Sequence, residues 1–269
     1  MHQREPLRLS AAFRGDGEPL IVIHGFTGSG AAMAPLVERL DGWRCIAVDL
    51  PGHGRSPAPP EPSYYSVEAM AASVTALATG IAEGPCHVIG YSMGGRVALA
   101  LAAAHPHECR SLTLISATAG MDDQAERARR RQADEALADR IGQHGLEQFV
   151  QNWMAAPMWD TLRARLSETE WEASMRQRRS CDPVGLANSL RAGGTGSMTP
   201  LWDRLGALDV PTLVMCGELD AKFVALGRQM NDLLPNSELA VMPGVGHAVH
   251  LETPDLCADT VADFMHRAP

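Results

Sequence analysis

The chain lacks any apolar run approaching the roughly 18 residues that a membrane-spanning helix needs. Its first residues, Met1-His2-Gln3-Arg4-Glu5-Pro6, have no hydrophobic stretch of the signal-peptide kind. A cytoplasmic location is therefore the expectation. Positive charge is also scarce, with 23 Lys+Arg against 32 Asp+Glu and a net charge of −9. That balance disfavours nucleic acid and anionic membrane surfaces as partners. No two of the six cysteines stand in Cys-x-x-Cys spacing, so nothing points to zinc or dithiol redox chemistry. Cys45 and Cys216 lie in apolar runs and read as buried free thiols. There is no internal repeat, and the one compositionally biased stretch is the short loop Pro57-Ala58-Pro59-Pro60-Glu61-Pro62.

What the chain does have is enough length and apolar content, 269 residues at 45% hydrophobic, for one α/β domain with an insertion or for two small domains. Its most informative segment is Gly90-Tyr91-Ser92-Met93-Gly94, preceded by Cys86-His87-Val88-Ile89 and followed by Val97-Ala98-Leu99-Ala100-Leu101. A Gly-x-Ser-x-Gly frame between a strand-like and a helix-like run is a nucleophile-elbow pattern, in which a sharp turn exposes a serine at a helix N-terminus. Further short apolar runs read as buried parallel strands: Leu20-Ile23, Trp43-Val48, Leu112-Ile115, Thr212-Cys216 and Ser237-Met242. Helical stretches at Ser66-Ile81, Gly94-Ala104 and Val224-Leu234 alternate with them, which implies a doubly wound α/β sheet. From about 118 to 208 the composition turns to Arg, Glu, Ala and Gln. Helices are expected there at Glu126-Ile141, Leu146-Trp159, Ser167-Arg179 and Pro183-Arg191, with a loop at Gly193-Ser197. The expected organisation is an α/β core made of 1–117 and 209–269, with 118–208 as a helical cap over the strand ends.

A serine nucleophile needs a base and the base an orienting acid, in chain order Ser, Asp or Glu, His for this type of elbow. Asp220 follows one strand and His247 the next, so Ser92, Asp220 and His247 are the expected triad. Glu218 is the rival acid, closer to its strand, and His250 the rival base. Asp49 reads as a turn organiser. His53, His87, His105 and His107 read as structural or exposed. Two backbone amides should form an oxyanion site: Met93, directly after the serine, and Phe26, in the loop His24-Gly25-Phe26-Thr27-Gly28.

These residues resemble the α/β-hydrolase superfamily over nearly the whole chain. A narrower resemblance is to the MenH family, the 2-succinyl-6-hydroxy-2,4-cyclohexadiene-1-carboxylate synthases of menaquinone biosynthesis. It is carried by His24-Gly25-Phe26-Thr27-Gly28-Ser29, Asp49-Leu50-Pro51-Gly52-His53-Gly54, Gly90 to Arg96, Gly217-Glu218-Leu219-Asp220-Ala221-Lys222-Phe223 and Gly246 to Glu252. In the cap it is carried by Glu126-Arg127-Ala128-Arg129-Arg130 and Asn152-Trp153-Met154-Ala155-Ala156-Pro157. One departure is Ser116-Ala117-Thr118-Ala119-Gly120-Met121, where the family commonly has Ser-x-x-Pro-Gly-Leu.

The resemblance implies elimination of pyruvate from 2-succinyl-5-enolpyruvyl-6-hydroxy-3-cyclohexene-1-carboxylate, a small tricarboxylate, with no metal or organic cofactor. A protein of net charge −9 would repel that substrate without local cations. Arg96, one helical turn after Ser92, is the first candidate to bind carboxylate. Neighbours on a helix cannot all point one way, so one or two of the cap arginines 127, 129, 130 and 131 should face inward, Arg130 first and Arg127 second. Tyr91 and Trp153 are expected to line the site or to pack beside it. A serine carboxylesterase or C–C bond hydrolase would share the triad, and a non-catalytic binding protein could share the fold. Oligomeric state is left open, with a monomer compatible.

Overall fold

A parallel sheet covered on both faces has no wet side, so both alternating sets of its side chains are apolar and its strands read as continuous apolar runs. The computed structural model, which describes residues 5–268, has seven strands in one sheet. They are β1 (Ala11–Arg14), β2 (Glu18–Ile23), β3 (Trp43–Val48), β4 (Cys86–Tyr91), β5 (Cys109–Ile115), β6 (Thr212–Gly217) and β7 (Ser237–Met242), and β2 to β6 show this pattern. The order is β1-β3-β2-β4-β5-β6-β7, with β1 antiparallel to β3 and all other neighbours parallel. Residues 1–4, within the segment read for a leader, and residue 269 lie outside the described residues.

All the expected strands are present, and β1 is an addition. Its Ala-Ala-Phe-Arg sequence offers only three apolar residues, two of them alanine, and Phe13 is exposed. Pairing with β3 from Ala11↔Val48 to Arg14↔Cys45 holds it, not burial. No helix among the described residues is long and apolar enough to cross a membrane.

The main helices are α1 (Val67–Ile81), α2 (Met93–Ala104), α3 (Gln124–Met154), α4 (Asp160–Arg165), α5 (Glu168–Arg179), α6 (Pro183–Gly193), α7 (Ala221–Leu233) and α8 (Pro254–Arg267). The period of two along the strands divides the core. Ile21, Ile23, Val88, Leu112 and Val214 face one way, packing with Met70 and Val74 of α1, Val97 and Leu101 of α2 and Met230 of α7. Leu20, Val22, Ile89, Leu213 and Met215 face the other way, toward Val261 and Phe264 of α8. The chain leaves β2 for β3 on one side and returns to β4 on the other. This reversal puts the loops after β2 and β4 side by side at the strand carboxyl ends, where α/β sheets bind their ligands.

Between β5 and β6 the described residues form helices and turns with no strand. Phe149, Val150, Met154, Trp159, Leu162 and Leu186 from these helices join the second core cluster, so the segment packs onto the sheet's carboxyl edge. The helix α3 breaks at Gly145, where φ is 80°. The expected helix Leu146-Trp159 needs correction: it stops at Met154, and a separate turn starts at Pro157. Proline has no N–H to continue the ladder, which accounts for the break. Ion pairs between α6 and α3, Arg191 to Glu135 at 2.8 Å and to Asp139 at 2.7 Å, involve half-exposed carboxylates. Each contributes at most about 1 kcal/mol, so the buried Leu186, Leu190, Ala138 and Ile141 hold these helices.

The helix α6 meets the core through two glycines. A Cβ on Gly185 would lie 2.3 Å from the Cα of Gly52, whose own φ is +73°, and Asp182 N–H donates to Gly52 O at 3.1 Å. No side chain fits between two backbones this close. Replacing Gly185 with Ala should therefore destabilise the fold by about 1–3 kcal/mol through overpacking, read as a lower urea midpoint with an unchanged m-value.

Candidate active site

The serine sits where β4 runs into α2. Ser92 has φ 52° and ψ −107°, a strained conformation for a residue with a side chain, and such strain costs about 1–3 kcal/mol. Its N–H donates to Ile115 O at 2.8 Å, which holds the turn against β5. The helix then starts in near contact with the next strand: a Cβ on Gly94 would fall 2.3 Å from Ile23 O. The turn lifts the Ser92 hydroxyl above the sheet.

Asp220 follows β6 and His247 follows β7. His247 Nδ1 lies 2.6 Å from Asp220 Oδ2 and donates to it, and Ser92 Oγ lies 3.1 Å from His247 Nε2. The structure thus brings together Ser92, Asp220 and His247. It does not bring in the rivals. Glu218 Oε2 instead accepts from Gly244 N at 2.8 Å, and His250 is buried with its ring 4.2 Å from that of Tyr91.

The loop carrying His247 is gripped by a residue the sequence reading missed. Glu252 is buried, and its carboxylate accepts from both amides flanking the histidine, Gly246 N at 3.0 Å and Ala248 N at 3.2 Å. Thr161 of α4 donates to the same carboxylate at 3.1 Å. Asp49 fills its turn-organising place, accepting from Gly30 N at 2.7 Å and Arg55 N at 2.9 Å. His53 and His87 are buried, while His105 and His107 are exposed. All six cysteines are buried and free.

Aromatic rings surround Ser92, Asp220 and His247. Tyr91 lies 5.5 Å from His247, Phe223 4.7 Å and Trp159 6.0 Å. Trp153 stands edge-on to Phe26 at 5.3 Å and stacks beside Phe149 at 6.1 Å. Met93, as the first residue of α2, has an N–H without an intrahelical acceptor. Phe26 lies in the loop after β2, where a Cβ on Gly25 would sit 3.4 Å from Ser92 Cβ.

The arginines form two groups. Arg96 is buried and donates to Gly193 O, and the charges that act on it are those of Arg130 and Asp134. Burial lowers its guanidinium to about 10, still charged at neutral pH. Arg130 is held by its Nε to Asp134 at 2.9 and 3.0 Å. Two cations and one carboxylate leave this group with an uncompensated positive charge. Arg127 is half-buried, with Nε lacking a recorded partner. The second group centres on Arg178 of α5, which sequence reasoning missed. It is buried, donates to Thr27 Oγ1 at 2.6 Å and lies 4.9 Å over the Trp159 ring. In sequence it lies within the run Arg176-Gln177-Arg178-Arg179, which looks like an ordinary basic last helical turn. Arg178 Nε, Tyr91 Oη, Trp153 Nε1 and Trp159 Nε1 are all buried without a protein partner. Among the described residues no group of three or more His, Cys, Asp or Glu could hold a metal ion.

Burial lowers His87, and three other histidines are lowered strongly, His24 to about 4 and His53 and His250 to about 3 each. They stay neutral in the fold, while in the unfolded chain a histidine takes its proton near 6.5. Below that pH the unfolded state binds more protons, so this stability is complete above about pH 7 and falls as pH drops through 6.5 toward 4. Each histidine contributes a slope of up to about 1.4 kcal/mol per pH unit. The urea midpoint should decline steadily from pH 7 to pH 5, and a midpoint that stays flat would contradict the neutral assignment.

The sequence profile of the alpha/beta hydrolase fold family matches residues 18–254. A Bacillus subtilis (strain 168) protein, named provisionally as 2-succinyl-6-hydroxy-2,4-cyclohexadiene-1-carboxylate synthase, is 36% identical over 92% of this chain and 90% of its own. The enzyme of that name from Serratia proteamaculans (strain 568) is 31% identical over 91% of this chain and 92% of its own. Among solved structures, MenH from S. aureus superposes with a TM-score of 0.91 at 30% identity, covering 96% of this chain and 98% of that one. A malate-bound thermophilic esterase from Thermogutta terrifontis superposes with a TM-score of 0.83 at 25% identity, covering 97% and 93%. With its strand order, elbow and helical insertion, the chain belongs to the alpha/beta hydrolase fold family and, within it, to the MenH family of 2-succinyl-6-hydroxy-2,4-cyclohexadiene-1-carboxylate synthases.

Proposed function

We propose that this protein is a cytoplasmic 2-succinyl-6-hydroxy-2,4-cyclohexadiene-1-carboxylate synthase of menaquinone biosynthesis. It eliminates pyruvate from 2-succinyl-5-enolpyruvyl-6-hydroxy-3-cyclohexene-1-carboxylate. Beyond family membership, the observation that carries the reading is the pair of buried arginines, Arg178 and Arg96, the latter joined by the partly exposed Arg130. An ester pocket for neutral acyl groups needs no such cations. A substrate with three carboxylates does, and arginine can grip a carboxylate with two parallel N–H groups.

In this reading residues 118–208 act as the cap over a core of 1–117 and 209–269. Asp220 orients His247 and stabilises its charged form. His247 takes the Ser92 proton, and the Ser92 oxygen removes a proton from the substrate ring. The electron pair of that C–H bond becomes a ring double bond as the C–O bond to the enolpyruvyl group breaks. The leaving group departs as the enolate of pyruvate, which takes up at carbon the proton held by His247, so that pyruvate is released and Ser92 and His247 return to their starting protonation. The Phe26 and Met93 amides stabilise the developing oxyanion. Arg96 and Arg178 bind carboxylates, with Arg130 and Arg127 adding charge from the cap. Tyr91, Trp153 and Trp159 supply apolar walls and donors for oxygen atoms.

Pyruvate release from freshly made enolpyruvyl substrate, followed with coupled lactate dehydrogenase, tests the reading. Ser92→Ala should lose at least about a thousandfold in kcat. Arg178→Met should raise KM by about tenfold or more with a smaller effect on kcat. Turnover of neutral p-nitrophenyl esters without pyruvate release would select a carboxylesterase instead.

A further inference from the structure

The loop after β2 contains a buried imidazole that the mechanism above does not use. His24 is fully buried, and its two ring nitrogens have different partners. Leu50 N–H donates to Nε2 at 3.0 Å, and Nδ1 lies 2.7 Å from Gly25 O. A neutral imidazole has one N–H and one bare nitrogen. Because Nε2 accepts, the proton is on Nδ1, and Nδ1–H donates to the Gly25 carbonyl. Gly28 N–H is a second donor to that oxygen, at 3.0 Å.

Fixing this carbonyl fixes the next amide. Across a trans peptide the C=O of one residue and the N–H of the next share a plane and point in opposite directions, and no cis peptide is present among the described residues. Two donors drawing Gly25 O to one side therefore turn Phe26 N–H to the other. That peptide lies at the elbow: a Cβ on Gly25 would be 2.8 Å from the Tyr91 ring and 3.4 Å from Ser92 Cβ. The His53 ring, 4.9 Å from His24, is itself neutral. Its Nδ1 donates to Pro51 O at 2.8 Å, and burial lowers it to about 3. The ring next to His24 thus carries no charge that would compete for the imidazole.

We propose that His24 is a positioning residue that aims the Phe26 amide at the oxyanion formed over Ser92, its tautomer being selected by Leu50 N–H. The proposal rests on the reading of Phe26 and Met93 as oxyanion donors. It adds the buried imidazole that directs one of them.

Two isosteres separate the two ring contacts. In His24→Asn the amide nitrogen falls near the Nδ1 position and keeps a donor for Gly25 O. In His24→Gln the amide oxygen falls near the Nε2 position and keeps an acceptor for Leu50 N–H, while the Gly25 donor is lost. Rates are expressed per active site titrated with a fluorophosphonate. The Gln variant should lose about tenfold to a hundredfold in kcat for pyruvate release, with KM within about twofold of wild type. Its rate of Ser92 phosphonylation should slow in parallel, and the Asn variant should recover most of both losses. Wild-type rates in the Gln variant, or equal losses in both variants, would overturn the proposal.

Should neither variant fold, nitrogen-15 spectra of histidine-labelled wild type decide the matter. His24 protonated on Nδ1 supports the proposal, and His24 protonated on Nε2 overturns it. The phosphonylation rate reads His24 without the enolpyruvyl substrate. A failure of the synthase reading, registered by a fully active Ser92→Ala variant, is therefore a separate outcome.

Discussion

The architecture depends on one backbone turn. Between β4 and α2 the chain reverses at Ser92 with φ 52°, a conformation a side-chain-bearing residue adopts only when its surroundings hold it there. The hold is cooperative. Ser92 N–H is paired with Ile115 O, and the start of α2 is set against Ile23 O at a distance that only a glycine at 94 tolerates. Three neighbouring strands thus define the position of one hydroxyl. The reversal of strand order between β2 and β4 brings the His24 to Ser29 loop to the same point, and α2 directs its free N–H groups toward it.

Electrostatics at the site runs against the charge of the whole molecule. The chain carries a net −9, but most of its carboxylates lie at the surface, where salt screens them beyond about 8–10 Å. Arg96 and Arg178 are buried, where screening is weak and a full charge persists. For a bound anion the nearby cations outweigh the distant carboxylates. Asp134 tempers the first group without neutralising it. Arg178 has no carboxylate partner among its recorded contacts and rests on an aromatic face and a hydroxyl.

Much of this was legible in the sequence because it is local. The elbow, the strand runs and the two strand-end loops bearing Asp220 and His247 each declare themselves within a few residues. The α/β class followed from the alternation of strand and helix. What escaped depends on contacts between distant segments. Strand β1 exists through pairing with β3, which no apolar pattern announces. Arg178 lies in a basic last turn like many solvated ones, and its burial comes from Trp159 and Thr27, far away in sequence. Trp159 itself was assigned to a continuous helix, although Pro157 marks the break. Glu252 was quoted as part of a motif, but its grip on the His247 loop appears only when the two amides converge on it. The choice of Asp220 over Glu218 rested on position alone, and the hydrogen bond of Glu218 to Gly244 N supplies the physical reason.

The helices between β5 and β6 are joined to the core at three separate loops. The helix α6 meets the Gly52 turn backbone to backbone, α5 reaches Thr27 through Arg178, and α4 reaches the His247 loop through Thr161 and Glu252. Each of these loops either carries a proposed catalytic group or adjoins one. The segment is therefore not an interchangeable module on a finished enzyme. A graft of the corresponding helices from a relative would have to reproduce a glycine, an arginine and a threonine at these junctions, or the core would lose the supports that shape its own site. Divergence of the helical segment and of the core loops is tied together, so a change of substrate in this lineage would be recorded as paired substitutions across the junction.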